Sequence, residues 1–366
     1  MADSPYPELK RTHTAARTGT PWRDRKPPPA ATVWNIIQGY GNYWLLVAAL
    51  ELGVFDALER TGPVRVEALA EDLGVSTPHL QSLLDSLVAL AVLDQVREVY
   101  ELNDTAERYL TSGGAASMAA LVRVAPGPHA NWLELAGTIR KGRPASPIEE
   151  DPAAFYVPLV RATFPTQRRV AMFAARTLGF ARAGGAPRVL DLGAGGAPWT
   201  IALLEAHTSA TAVVNDLPGV IEVAEEKVAE HGVAPRCEFR PGDFRTLAFE
   251  RGAYDIVVLG HVCRTEGRDG APELIGRAFA SLVPGGRVLI ADYFTDNART
   301  LNPFAVLMGA TMMASTEHGF TFTHEQYVEW LHAAGFRPVR LIEPIGFNQV
   351  FVATKPFARE PGAADD

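Results

Sequence analysis

Between residues 188 and 354 the chain alternates short β-branched runs with helical segments, and few folds accept that alternation. Strands are expected at 189–192, 212–214, 237–239, 254–259 and 286–292, with helices at 201–206, 220–231 and 271–282. A helix over 323–334 and strands at 339–342 and 348–354 follow, the last two forming a hairpin around Pro344, Ile345 and Gly346. Repeated βα units predict an α/β domain with a mostly parallel, doubly wound sheet of Rossmann-like type. The hairpin adds antiparallel strands at one edge.

Three ligand-type signals stand at the ends of consecutive strands. The first turn reads Asp191-Leu192-Gly193-Ala194-Gly195-Gly196, a glycine-rich stretch that lets a ligand approach bare backbone. It is not a dinucleotide fingerprint, because the third glycine of that spacing would fall on Pro198. The second strand ends in Asn215-Asp216-Leu217-Pro218. A carboxylate ~20 residues beyond such a turn is placed to accept both hydroxyls of a ribose. The third ends in Pro241-Gly242-Asp243-Phe244, a carboxylate and an aromatic ring suited to an adenine. Open α/β sheets bind ligands at the carboxyl ends of their strands, so the three signals support one another.

The N-terminal half is of a different kind. Residues 1–30 are rich in Pro and Arg and predict a mobile arm. Residues 32–58 form a helix, with Ile36, Tyr40, Tyr43, Leu46, Val47 and Leu50 on one stripe and Ile37, Trp44 and Leu45 off it. A helix apolar on most sides must be covered on most sides, which predicts a homodimer packed through the 44–50 stretch. A helix from Val66, an N-cap at Ser76, a helix through Leu90 and strands at 92–93 and 99–102 follow in winged-helix order. DNA binding does not fit. Residues 77–93 carry no Lys or Arg, and the net charge is −8. Two cysteines rule out a disulfide framework. No leader and no apolar run of membrane-spanning length stands out, so a cytoplasmic location without membrane partners is expected.

A second helical region over 118–180 leads to a hinge at Gly184-Gly185. The expected division is thus 1–30 arm, 31–112 winged-helix domain, 113–184 helical pocket region, 185–356 ligand-binding domain and 357–366 tail. No motif for a metal is found.

The order of winged helix, Asp-x-Gly-x-Gly turn, Asn-Asp-Leu-Pro, Gly-Asp-Phe, Leu-x-Pro-Gly-Gly-Arg and closing hairpin resembles the class I S-adenosylmethionine-dependent O-methyltransferases. The branch in question contains the plant caffeate, acetylserotonin and bacterial hydroxyneurosporene enzymes. The resemblance implies a homodimer that binds S-adenosyl-L-methionine and methylates a small, aromatic or natural-product-like molecule. It assigns Gly193, Gly195 and Gly242 to the cofactor turns, Asp216 to the ribose, and Leu217, Asp243 and Phe244 to the adenine. Asp191 orients the turn and the methionine end. Gly260 stands where plant members have a cofactor-contacting Lys. The resemblance also implies a substrate cavity walled by His129, Trp132, Phe155, Tyr156, Thr163, Phe164, Met308, Met312 and Met313. Apolar, Met-rich walls suit a flat molecule.

The family's base is missing. Its His aligns with Arg264, which accepts no proton near neutral pH. Of two carboxylates that flank the base, only Asp292 is kept; the other aligns with Thr321. Two roles remain open at this stage. His261, three residues earlier, is one candidate base. Alternatively Arg264 anchors an anionic substrate, or acidifies a phenol. Loss of the base also admits methylation on carbon or nitrogen, or a hydroxylase- or decarboxylase-like enzyme that binds the cofactor without transferring its methyl group.

Overall fold

The computed structural model describes residues 30–114, 116–124, 129–300, 302–343 and 348–357. Most of the expected arm and tail, and the hairpin turn at Pro344 to Gly346, lie outside them. The described residues fall into two compact units, 30–124 and 129–357.

The first unit contains α1 (Ala30–Glu51), α2 (Val54–Thr61), β1 (Val64–Arg65), α3 (Val66–Leu73), α4 (Thr77–Ala89), β2 (Leu93–Val96), β3 (Val99–Leu102), α5 (Asp104–Tyr109) and α6 (Ala119–Val124). The strands pair antiparallel in the order β1-β3-β2. Two expectations need correction. The single helix over 32–58 is broken by Gly53, whose φ of 73° leaves the helical region. Ser76 does occupy the N-cap of α4, but its hydroxyl bonds His79 Nδ1 rather than a backbone N–H. The wing turns at Arg97 and Glu98, both at positive φ (50° and 69°). Phe55, Leu58, Leu84, Leu87 and Tyr100 fill the core. The unpartnered apolar face of α1 lies earlier than expected. Val47, Ala49 and Leu50 are buried within the unit, whereas Val33, Trp34, Ile36, Ile37 and Tyr40 are 56–73% exposed.

The second unit opens with α7 (His129–Leu133), α8 (Leu135–Lys141) and α9 (Pro152–Thr177). There follow β4 (Arg188–Leu192), α10 (Pro198–Ala206), β5 (Thr211–Asp216), α11 (Pro218–Glu230), β6 (Cys237–Pro241), β7 (Tyr254–Gly260), α12 (Cys263–Ser281), β8 (Leu282–Asp292), α13 (Pro303–Ser315), α14 (His324–Ala333), β9 (Val339–Ile342) and β10 (Gln349–Thr354). The sheet runs β6-β5-β4-β7-β8-β10-β9. Its first five strands are parallel, and β10 pairs antiparallel with both β8 and β9. The expected doubly wound sheet with an antiparallel edge is therefore present. Helix α13 is an addition: it is apolar on nearly every side and shows no stripe. Its start is fixed by Asn302, whose side chain accepts from Ala305 N–H. Helix α12 begins eight residues before the segment expected over 271–282 and kinks at Gly267 (φ 71°, ψ −169°). Among the described residues no single helix is long and apolar enough to cross a membrane.

Candidate active site

The carboxyl ends of β4, β5, β6 and β7 bring the sequence signals together. The turn after β4 needs glycine: Gly193 has φ +63°, and a Cβ there would stand 2.4 Å from Val262 Cγ1. The ring of Phe244 approaches the same spot, 3.5 Å from that position. Gly195 (φ +58°) and Gly196 pack against Val160 and Phe164 of α9.

Asp216 closes the turn from the side. Its Oδ2 accepts Gly195 N–H at 2.7 Å and its Oδ1 accepts Leu217 N–H at 2.7 Å. A carboxylate oxygen has two lone pairs, so each keeps one to offer a ligand hydroxyl. Burial pushes this carboxyl up to about 6, with the two N–H donors opposing. Below the turn, Asp191 is almost fully buried. Its Oδ2 takes the N–H (3.2 Å) and hydroxyl (2.7 Å) of Thr200, while its Oδ1 has no partner. Burial lifts it to about 7. Asn215 ties β5 to β6 through the carbonyls of Arg240 and Gly242, which holds the Gly242–Phe244 loop beside Asp216. Asp243 itself is engaged by Arg245, whose N–H and Nε both reach its Oδ1. Gly260 leaves room for the indole of Trp199: a Cβ there would meet Trp199 Nε1 at 3.1 Å.

On the other side of β7 lies a closed polar network. His261 sits at positive φ (63°), and its N–H bonds Ala291 O at 2.8 Å. Arg264 Nη1 lies 2.7 Å from His261 Nδ1 and 2.8 Å from Asp292 Oδ1. Guanidinium nitrogens only donate, so Nδ1 is the acceptor and the imidazole is neutral with its proton on Nε2. His261 Nδ1 also lies 3.5 Å from Asp292 Oδ1, but it has no proton to share there. Nε2 donates to Gln167 Oε1 at 2.8 Å, and Gln167 Nε2 continues to Asn348 Oδ1 at 3.4 Å. Asp292 also accepts Tyr293 N–H at 2.9 Å and Tyr327 O–H at 3.3 Å. Burial opposes ionisation of Asp292, yet the Arg264 guanidinium holds the carboxyl well below its usual range. Burial lowers the His261 imidazole, against the pull of Asp292. Arg264 lies over the Tyr293 ring at 5.3 Å. Its Nε is buried without a partner. Burial raises Tyr156 to about 12, while Arg264 pulls it down and Asp216 up, so its hydroxyl lies within electrostatic reach of both.

The expected pocket wall is only partly assembled. Phe155 and Tyr156 meet edge to face at 5.2 Å. Helix α13, with half-buried Met308 and buried Met312, packs against α7 and α8. Trp132 of α7 is half-buried and His129 is exposed. Two residues serve their own surroundings. The Thr163 hydroxyl turns back to Leu159 O at 2.8 Å, and Phe164 packs against the glycine turn and Lys227. Gln167, Asn348, Tyr293 and Tyr327 were not foreseen. Gln167 shares the helical spacing of Val160 and Phe164, which was the one available signal.

An O-methyltransferase dimerisation domain model matches residues 34–112, and an O-methyltransferase domain model matches residues 166–337. The chain is 27% identical over 340 residues to the 3-hydroxy-5-methyl-1-naphthoate 3-O-methyltransferase of Streptomyces sahachiroi, covering 88% of this chain and 94% of that protein. It is 28% identical over 347 residues to the N,N-dimethyltransferase OxyT of Streptomyces rimosus, covering 90% and 98%. The fold matches human N-acetylserotonin methyltransferase solved with its cofactor: TM-score 0.77, 22% identity, covering 91% of this chain and 99% of that one. The site has what S-adenosylmethionine requires: a bare glycine turn, a carboxylate with two free lone pairs for a diol, and a buried, unpartnered Asp191 oxygen. The chain belongs to the S-adenosylmethionine-dependent O-methyltransferases, and its cofactor is S-adenosylmethionine.

Proposed function

We propose that this protein transfers a methyl group to an oxygen of a small, flat, aromatic natural-product-like molecule, and that it works as a homodimer. The observation that carries this reading is the arrangement around β7: a cofactor cradle on one side, and on the other a sealed set of His261, Arg264 and Asp292 with no group free to accept a proton. S-adenosylmethionine, when bound, supplies an electrophilic methyl group on a sulfonium. In this account Asp216 accepts the ribose hydroxyls, Leu217 and Phe244 border the adenine, and Gly193, Gly195 and Gly242 let the backbone approach. Asp243, whose two oxygens both receive Arg245, borders the adenine amine. Gly260 makes room for Trp199, which fills the place of a longer side chain. Thr163 and Phe164 support the wall rather than touch substrate; Phe155, Tyr156, Met308 and Met312 line it, with Trp132 and His129 at its edge. Rate comes from holding acceptor and methyl group in line and away from water.

The test is methyl transfer from deuterium-labelled cofactor to a panel of hydroxynaphthoic acids, aminophenols and naphthols, followed by mass spectrometry. A mass gain retained as an aryl methyl ether supports the proposal. A gain on nitrogen, as the relation to the N,N-dimethyltransferase admits, or on carbon, corrects the acceptor atom. Cofactor binding with an oxidised or decarboxylated product and no methyl gain contradicts it.

The exposed α1 face predicts the assembly. Five large apolar side chains between Val33 and Tyr40 form a patch that a second copy would cover. Light scattering at micromolar concentration is expected to give twice the chain mass, and Trp34→Glu with Ile37→Glu to give the single-chain mass. A wild-type monomer would contradict the homodimer.

A further inference from the structure

We propose that none of His261, Asp292 and Tyr156 removes the acceptor's proton, and that the acceptor reaches the site already ionised. Its oxyanion would be an acidified phenol, a carbonyl-conjugated enol or a carboxylate, held on the unused edge of the Arg264 guanidinium. This rests on the methyltransferase reading above and names the substrate class for it.

The geometry supplies the argument. A base needs a free lone pair with a proton affinity near neutrality. His261 has neither nitrogen free: Nδ1 receives Arg264 and Nε2–H is spent on Gln167. Turning the ring would set Nε2–H against the guanidinium, donor against donor. Asp292 is 1% exposed, receives three donors and is held strongly ionised by Arg264. Tyr156 keeps its own proton, since burial raises it. Arg264, which the family resemblance sets at the position of the base His, has donors to spare. Nη1 alone serves His261 and Asp292, while Nε is buried and partnerless and Nη2 has no hydrogen-bond partner among the described residues. Nε–H and the adjacent Nη2–H form the side-on fork that fits a carboxylate or a phenolate beside a carbonyl.

The bookkeeping of the step closes without a base. An oxygen lone pair of the acceptor forms the new O–C bond to the methyl carbon. The S–C bond breaks with its pair left on sulfur. One negative and one positive charge disappear together. The acceptor's proton has left earlier, to solvent, so no residue changes protonation.

Two measurements test this. The first needs no turnover. Nitrogen-15 spectra of the histidines, with His261 assigned by its loss in His261→Asn, are recorded across the neutral range in the presence of S-adenosylhomocysteine. The His261 ring is expected to remain the neutral Nε2–H form throughout, and a ring that protonates within the range overturns the proposal. The second is the pH–rate profile with para-nitrophenol, para-cyanophenol and phenol. The acidic limb is expected to move with the acidity of each phenol, unit for unit, and to keep its position in His261→Asn. A limb fixed at one pH for all three, and lost in His261→Asn, overturns it. Methyl transfer to none of the panel acceptors, with the His261 spectrum unchanged, would count against the O-methylation reading and not against the closed network.

Discussion

Asp292→Ala is expected to destabilise the protein by about 3–5 kcal/mol, because it strands a buried guanidinium without its counter-ion. Arg264 loses the carboxylate 2.8 Å from Nη1, and Tyr293 N–H and Tyr327 O–H lose their acceptor. Urea unfolding of Asp292→Ala, Arg264→Met and the double variant measures the coupling. The double variant should unfold more easily than wild type yet less easily than Asp292→Ala, since removing both charges removes the stranded one. Equal losses for Asp292→Ala and a surface Asp→Ala variant such as Asp94→Ala would refute the pairing. The sign with pH follows from the depressed carboxyl. Its contribution is complete above the ordinary carboxylate range and fades only as acid drives the pH toward the folded-state value.

The sheet was legible because its strands are β-branched runs that end in residues with one physical purpose each. Asp191, Gly193, Asp216 and Gly242 all fall at the carboxyl ends of neighbouring strands, where ligand turns belong. Helix α13 was not legible. A helix without a polar face shows no period, and its cap, Asn302, lies at positive φ and gives no periodic signal. The α1 break at Gly53 was visible only as a glycine within an otherwise apolar run. The segment after β7 was legible as a departure. Arg264 in place of a base followed from the family resemblance, but the state of His261 did not. That state depends on Gln167, 94 residues earlier, and on Asn348, which stands next to β10; no local spacing couples them. The pocket wall was least legible, since an aromatic or Thr residue on a helix faces a cavity or its own helix according to packing alone. Thr163 took the second course, and Phe164 packs on the glycine turn after β4 instead.

The cofactor cradle gives the other large effect. With the ribose on Asp216 as proposed, Asp216→Ala would remove two charge-assisted hydrogen bonds, each worth about 1.5–3 kcal/mol, so affinity should fall by two orders of magnitude or more. The wild-type interaction carries a sign with pH. The Asp216 carboxyl in the free protein titrates at about 6, above its ordinary value, so it is ionised above that pH and gains a proton below it. A protonated carboxyl loses one acceptor oxygen, so affinity falls as the pH drops through about 6, by up to tenfold per unit. Asp191, which titrates at about 7, adds a shallower dependence of its own, and Asp216→Asn separates the two. The most direct test is calorimetric titration of the full chain with S-adenosylhomocysteine, for wild type and Asp216→Asn, at steps from about pH 8 to about pH 5. Tight wild-type binding that weakens through about pH 6, with weak Asp216→Asn binding that lacks this inflection, is the predicted result. Equal affinity and equal pH dependence for the two proteins would contradict the placement of the cofactor on Asp216.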